Sequence, residues 1–179
     1  MMSKFSILFK VLHYRLLKLV LNTRQYAKYR GVSLGTDNMI ADYDHWGTEP
    51  YLIKIGNNCQ LTHGCKLFTH GGANVVRNKY PDFDVFGKII IGNWVYIGTN
   101  SLIMPGVTIG NNVLVAAGSV VTKSIPSNSV VAGNPARIIC TVDEYYNRNK
   151  QYNIHTKGLS FRAKKEKLMA IDEIFYIKK

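Results

Sequence analysis

"IGNWVYIGTNSLIMPGVTIGNNVLVAAGSVVTKSIPSNSVVAGNPARII" runs from residue 91 to residue 139. An aliphatic side chain returns at every sixth position: Ile91, Ile97, Ile103, Ile109, Val115 and Val121. Two places before each stands a small or branched residue: Ile89, Val95, Ser101, Val107, Val113 and Ser119. Glycine follows the aliphatic column at Gly92, Gly98 and Gly110, where the pattern predicts corners of positive φ. A period of two would make strands alone. A period of six with glycine at the corners makes short strands wound into a solenoid. An earlier run, Ile55, Leu61 and Leu67, keeps the spacing and puts Cys59 and Cys65 in the small column. Both cysteines are therefore expected to pack in the core, and metal binding is the less natural role for them.

The ladder breaks between Leu67 and Ile91. "GGANVVRNKYPDFDVFGK", residues 71–88, holds two leading glycines, an internal proline and scattered charges, and reads as a loop ejected from one coil. Loops of this length inside compact repeats are commonly functional. His70 stands at its threshold, seven residues after His63. Histidine is the side chain whose ordinary chemistry gives and takes protons near neutral pH.

The 179 residues suffice for one cored domain with terminal additions, and a hydrophobic content of 46% excludes general disorder. Three cysteines, with Cys140 the third, are too few and odd in number for a secreted disulfide scaffold, so a reducing cytoplasm is expected. The net charge of +12 is uneven. Residues 1–30 hold seven Lys/Arg and no acid, residues 31–139 seven against six acids, and residues 140–179 nine against five. A nearly neutral middle with basic ends points to an anionic surface or ligand near the ends and away from nucleic acid. Residues 3–21 fit a helix with an apolar stripe of Phe5, Leu8, Leu12, Leu16 and Leu19, and with Ile7, Leu17 and Leu21 beside Lys10 on the other side. Lys10, Arg15 and Lys18 interrupt the run, so neither a leader nor a spanning helix is expected. The helix is expected either to pack on partner chains or to contact a membrane peripherally. The division that follows is 1–30, a basic apolar helix; 31–140, the solenoid with loop 71–88; and 141–179, a basic helical extension.

Residues 91–139, with the ending "GSVVTKSIP…VVAGNPA", resemble the hexapeptide-repeat acyltransferases, in particular the galactoside, maltose and surface-polysaccharide sugar acetyltransferases. The resemblance covers roughly residues 31–140, and the tail "DEYYNRNKQYNIHTKGLSFRAKKEKL" is similar to tails in the polysaccharide branch. It implies an all-β solenoid, a left-handed parallel β-helix, assembled as a homotrimer in the cytoplasm, with acetyl-CoA as co-substrate and no metal. It implies direct acetyl transfer to a sugar hydroxyl, with His70 as general base. Histidine bases contribute about 10²–10⁴-fold to such reactions. Related enzymes often read Thr-His-Asp-Gly-Gly where Gly71 stands here, so Asp82, Asp84 or a backbone carbonyl is expected to orient the imidazole. Thr122, Lys123 and Arg137 match positions contacting coenzyme A, where cations suit phosphates. Thr99 and Ala117 match the pantetheine channel, and Tyr96 replaces the usual tryptophan of its wall. Trp94 occupies a corner normally given to Asn and is expected to be exposed. Asp42 and Asp44 match the acceptor-binding neighbourhood, while His45 and Trp46 could line the pocket or pack against a neighbour.

Other readings on the same fold are an N-acetyltransferase for an amino-sugar nucleotide, a xenobiotic acetyltransferase, and a non-enzymatic scaffold. A γ-type carbonic anhydrase would require three convergent histidines, for which His63 and His70 lack the spacing.

Overall fold

The computed structural model describes residues 4–177, and side chains for residues 12–177. Two helices come first, α1 (Lys4–Val20) and α2 (Thr23–Tyr29). The strands β1 (Ser33–Leu34), β2 (Met39–Ile40), β3 (Ile53–Ile55), β4 (Gln60–Leu61) and β5 (Lys66–Leu67) precede the loop. After it come β6 (Ile89–Ile91), β7 (Val95–Ile97), β8 (Leu102–Ile103), β9 (Thr108–Ile109), β10 (Val113–Val115), β11 (Val120–Val121), β12 (Ser129–Ala132) and β13 (Arg137–Thr141). Two further helices, α3 (Val142–Asn149) and α4 (Phe161–Ala170), follow.

The strands form three sheets, ordered β1-β3-β6-β9, β13-β12-β10-β7-β4-β2 and β11-β8-β5. All pairs are parallel except β12 with β13. The chain visits the three sheets in turn, so a strand pairs with the one a full coil later: Val95 with Val113, Val120 with Leu102, Ile90 with Thr108. Successive residues on a strand point to opposite faces, and the sixfold column is the inward one. Ile55, Ile91 and Ile109 stack on the first sheet, Leu61, Ile97, Val115 and Val131 on the second, and Leu67, Ile103 and Val121 on the third. All are buried in a single apolar cluster, which Cys59 and Cys65 join.

The glycines after the aliphatic column serve a different purpose from the one expected. Positive φ falls instead on Asn58, Trp94, Asn100, Asn112 and Asn128, and on Gly64, Gly106 and Gly118. At Gly98 a Cβ would lie 2.4 Å from the backbone nitrogen of Ala117. Glycine is required there because the next coil passes too close for any side chain. Another corner is tied vertically by side-chain oxygens. Thr36 N–H donates to Asn57 Oδ1 (2.8 Å), Asn57 N–H to Asn93 Oδ1 (2.8 Å), Asn93 N–H to Asn111 Oδ1 (2.7 Å) and Asn111 N–H to Ser127 Oγ (2.9 Å).

The ends of the coil are covered. The N-terminal segment is two helices, where the sequence pattern suggested one, because Asn22 and Gln25 form a capping box that restarts the chain. Ala27 of α2 and Val32 enter the core at the first coil. At the other end β13 turns back antiparallel onto β12. His45 and Trp46, expected to line the pocket or pack against a neighbour, are both buried within the chain itself. Trp46 pairs in parallel with Leu67, so its ring occupies the aliphatic column one coil before Leu67.

Candidate active site

The loop after β5 leaves and rejoins the coil at one point. Gly87 N–H donates to Thr69 O (2.7 Å), and His70 pairs antiparallel with Phe86. His70 is thereby fixed at the loop's base. Its ring lies 5.6 Å from that of Phe86. His70 Nδ1 donates to Glu49 Oε2 at 2.6 Å. Glu49 precedes the turn Pro50–Leu52 and also accepts from Thr48 (2.6 Å) and Thr69 (2.9 Å). The Thr48 hydroxyl, with Thr69 and His70 adding to it, holds the Glu49 carboxyl below the usual carboxylate range. Glu49 is 16% exposed and His70 41%. A carboxylate on Nδ1 fixes the tautomer that leaves the Nε2 lone pair open to take a proton.

Glu49, which no sequence pattern marks, is the partner that holds the imidazole. Asp84, an expected partner of the imidazole, pairs instead with Arg77 (3.3 Å), whose Nε donates to Phe83 O, and this holds the loop together. Asp82 lies farther out along the loop beside Tyr80 and Phe83. Glu49 sits twenty-one residues before His70, one coil away, and only the stacking of coils brings it close. A pocket of about 310 Å³ opens beside the pair, lined by Gly71, Gly72, Asn74, Arg77, Asp84 and Phe86.

The other expected residues fall into separate groups. Lys123 and Arg137 share a cleft of about 350 Å³ with Ser124 and Ile138. Exposed Thr122 leaves the same corner as Lys123. That corner is also the one from which the His70 loop departs, two coils earlier, or roughly 10 Å along the stack at the spacing of adjacent strands. Thr99 and Ala117 lie on a different corner, where Thr99 Oγ1 donates to Thr62 Oγ1 (3.3 Å) and Gly118 N–H donates to Thr99 O (2.8 Å). Tyr96 points outward from β7 and is exposed, and Trp94 is 64% exposed at φ 57°.

Asp42 and Asp44 do not line the His70 pocket of their own chain. Asp42 accepts from His63 Nδ1 (2.7 Å) and from Gly64 N–H (2.7 Å); the latter, above all, keeps its carboxyl below the usual range. Asp44 pairs with Lys18 at 2.6 Å. His63 is 77% exposed. Behind them Asp42 N–H donates to His45 Nε2 (3.0 Å) and His45 Nδ1 donates to Cys65 O (2.9 Å), so His45 is a neutral structural clip. Burial lowers its pKa. Among the described residues no group of three or more His, Cys, Asp or Glu converges as a metal site.

The bacterial transferase hexapeptide (six repeats) family model matches residues 88–123. Protein CapG of Staphylococcus aureus is 45% identical over 138 residues, spanning 75% of this chain and 80% of CapG. A putative lipopolysaccharide biosynthesis O-acetyl transferase, WbbJ of Escherichia coli, is 35% identical over 72% of this chain, which spans 65% of that protein's length. Among solved structures, a hexapeptide-repeat acetyltransferase of Vibrio cholerae complexed with acetyl coenzyme A is 25% identical with a TM-score of 0.51, covering 72% of this chain and 83% of the other. The chain belongs to the hexapeptide-repeat acyltransferase family.

Proposed function

We propose that the chain is an acetyl-CoA-dependent O-acetyltransferase acting on a sugar hydroxyl in surface-polysaccharide synthesis. Its coil is left-handed over 31–140, between the extensions 1–30 and 141–179, and three copies assemble as a trimer. The observation that carries it is the Glu49–His70 pair at the rim of an open pocket on a transferase coil. The acetyl-CoA bound by the Vibrio relative and the O-acetyl transferase name of the WbbJ relative support the donor and the acceptor class.

In this reading the acceptor hydroxyl sits in the His70 pocket. His70 Nε2 takes its proton as the oxygen attacks the thioester carbonyl, since a neutral alcohol is a poor nucleophile. Collapse of the tetrahedral species breaks the C–S bond, and the imidazolium returns the proton to the departing sulfur. No acyl-enzyme forms. Glu49 holds the reactive tautomer and stabilises the imidazolium. Lys123 and Arg137 receive the phosphates of acetyl-CoA, with Thr122 beside them, while Tyr96, Thr99 and Ala117 border the pantetheine arm. In one chain Tyr96, Thr99 and Ala117 lie on a face and corner other than that of the His70 loop, which favours a site completed between neighbouring copies, with Asp42 and Asp44 offered to a neighbour's acceptor.

The test incubates the protein with acetyl-CoA and a panel of nucleotide sugars and oligosaccharides, reading thiol release. The chain's own thiols leave that readout clean, because Cys59, Cys65 and Cys140 are buried and burial pushes Cys65 up to about 12. Thiol release that depends on acceptor and vanishes in His70→Ala supports the reading. Hydrolysis alone, or activity that survives the substitution, overturns it.

A further inference from the structure

Helix α1 has two unlike faces. Its inner face is locked to the body of the protein by directional contacts. Tyr14 packs edge-on against Tyr26 (6.5 Å), Lys18 pairs with Asp44 (2.6 Å) between the rings of Tyr26 and Tyr43, and the Tyr43 hydroxyl donates to Leu21 O (2.9 Å). Arg30 lies over the Tyr14 ring at 4.8 Å, and His13 Nε2 is 2.8 Å from the Tyr29 hydroxyl. The helix therefore cannot roll to hide its other face. That outer face carries Leu12 (54% exposed), Leu16 (53%), Leu19 (82%) and Val20 (81%), spaced as one stripe. By sequence spacing the stripe continues through Phe5 and Leu8, whose side chains lie outside the described residues.

The charges flanking this stripe indicate what covers it. Residues 1–30 hold seven Lys/Arg and no acid. At 100° per residue Arg15 falls on the border of the stripe, and Arg24 and Lys28 are exposed on the adjoining α2. A second copy of the segment laid face to face would bring like charge against like charge. An anionic lipid surface meets both properties at once, since the stripe enters the acyl boundary and the basic groups meet the phosphates. No helix among the described residues is long and apolar enough to cross a membrane, so the helix would lie in the interface plane. We propose that α1 docks the protein on an anionic lipid surface with Leu12, Leu16, Leu19 and Val20 inward. This surface is separate from the His70 pocket, and its test does not depend on the acetyl-transfer reading.

The full chain is sedimented with vesicles of phosphatidylcholine alone and of phosphatidylcholine mixed equally with phosphatidylglycerol, and its oligomer mass is measured without lipid. The expected result is co-sedimentation with the mixed vesicles only, weakening as salt is added. In the doubly substituted Leu16→Glu/Leu19→Glu chain, partition should fall on the order of a hundredfold, with helical content and oligomer mass unchanged. Arg15→Glu, which leaves the stripe whole, should weaken binding to the mixed vesicles as well. Failure of the full chain to bind mixed vesicles overturns the proposal. So does equal binding to both vesicle types. A lower oligomer mass in the Leu16→Glu/Leu19→Glu chain overturns it too, because a second copy then covers the stripe.

Discussion

Three histidines of this coil are each held through Nδ1, and what each contacts separates their roles. His70 is held by a carboxylate beside an open pocket, His63 by a carboxylate on an exposed corner, and His45 by a backbone carbonyl in the core. His70→Ala is expected to lower kcat by about 10²–10⁴-fold, with the KM for acetyl-CoA little changed. His63→Ala should leave kcat within about threefold, since its ring is exposed and its Nδ1 is taken by Asp42. Glu49→Gln replaces an acceptor facing Nδ1 by a group that can donate, so the wrong tautomer is populated. Its kcat should fall on the order of tenfold to a thousandfold while acetyl-CoA binding holds. Steady-state kinetics of the three variants, read side by side, checks the assignment; equal losses at His63 and His70 would refute it. The place of His70 at the loop's base was legible in the sequence because the hexapeptide phase breaks there. Glu49 was not, because its proximity is created by stacking, and a loop aspartate looked the nearer partner. Asp84 is indeed near, but Arg77 has taken it.

At the scale of corners and strands, most local identities follow from the distance between coils. Gly98→Ala would drive a Cβ to 2.4 Å from the Ala117 nitrogen and should cost about 1–3 kcal/mol in denaturant unfolding. Trp94 is the opposite case, a bulky residue at φ 57° where Asn58, Asn100, Asn112 and Asn128 occupy the same left-handed conformation. Trp94→Asn should raise stability by about 1 kcal/mol, and a loss instead would mean that the exposed ring is bound to something. His45 ties two coils through its neutral form. Because burial lowers its folded pKa, the unfolded chain binds a proton that the folded chain refuses as the pH falls through the ordinary histidine range. Stability should therefore decline from about pH 7 to pH 5, and His45→Asn should flatten that slope in thermal melts. The phase of the strands was readable from the aliphatic column alone. The reason for the glycines was not, since a sequence does not display how close the next coil comes.

At the scale of the molecule, the cleft of Lys123 and Arg137 and the pocket of His70 are distinct places on one chain. If a working site takes one from each of two copies, His70→Ala and Lys123→Ala/Arg137→Ala chains should complement one another. Each alone should be impaired, the second through a raised KM for acetyl-CoA, since phosphate contacts would be shared by ground and transition states. Co-expressed mixed oligomers assayed at low acetyl-CoA should recover part of the activity, and no recovery would place both halves in a single chain. The other consequence of scale lies in the reversed last strand. A stack of parallel rungs has no intrinsic length, and a bare final rung is a template on which another molecule could continue the ladder without end. β13, lying antiparallel on β12, covers that template with a strand of the wrong direction for continuation. The hairpin is thus expected to act as a terminator of polymer growth. Removing the chain beyond Ala136 should turn a discrete particle into one that lengthens with concentration, seen as rising light scattering and fibrous assemblies under the electron microscope.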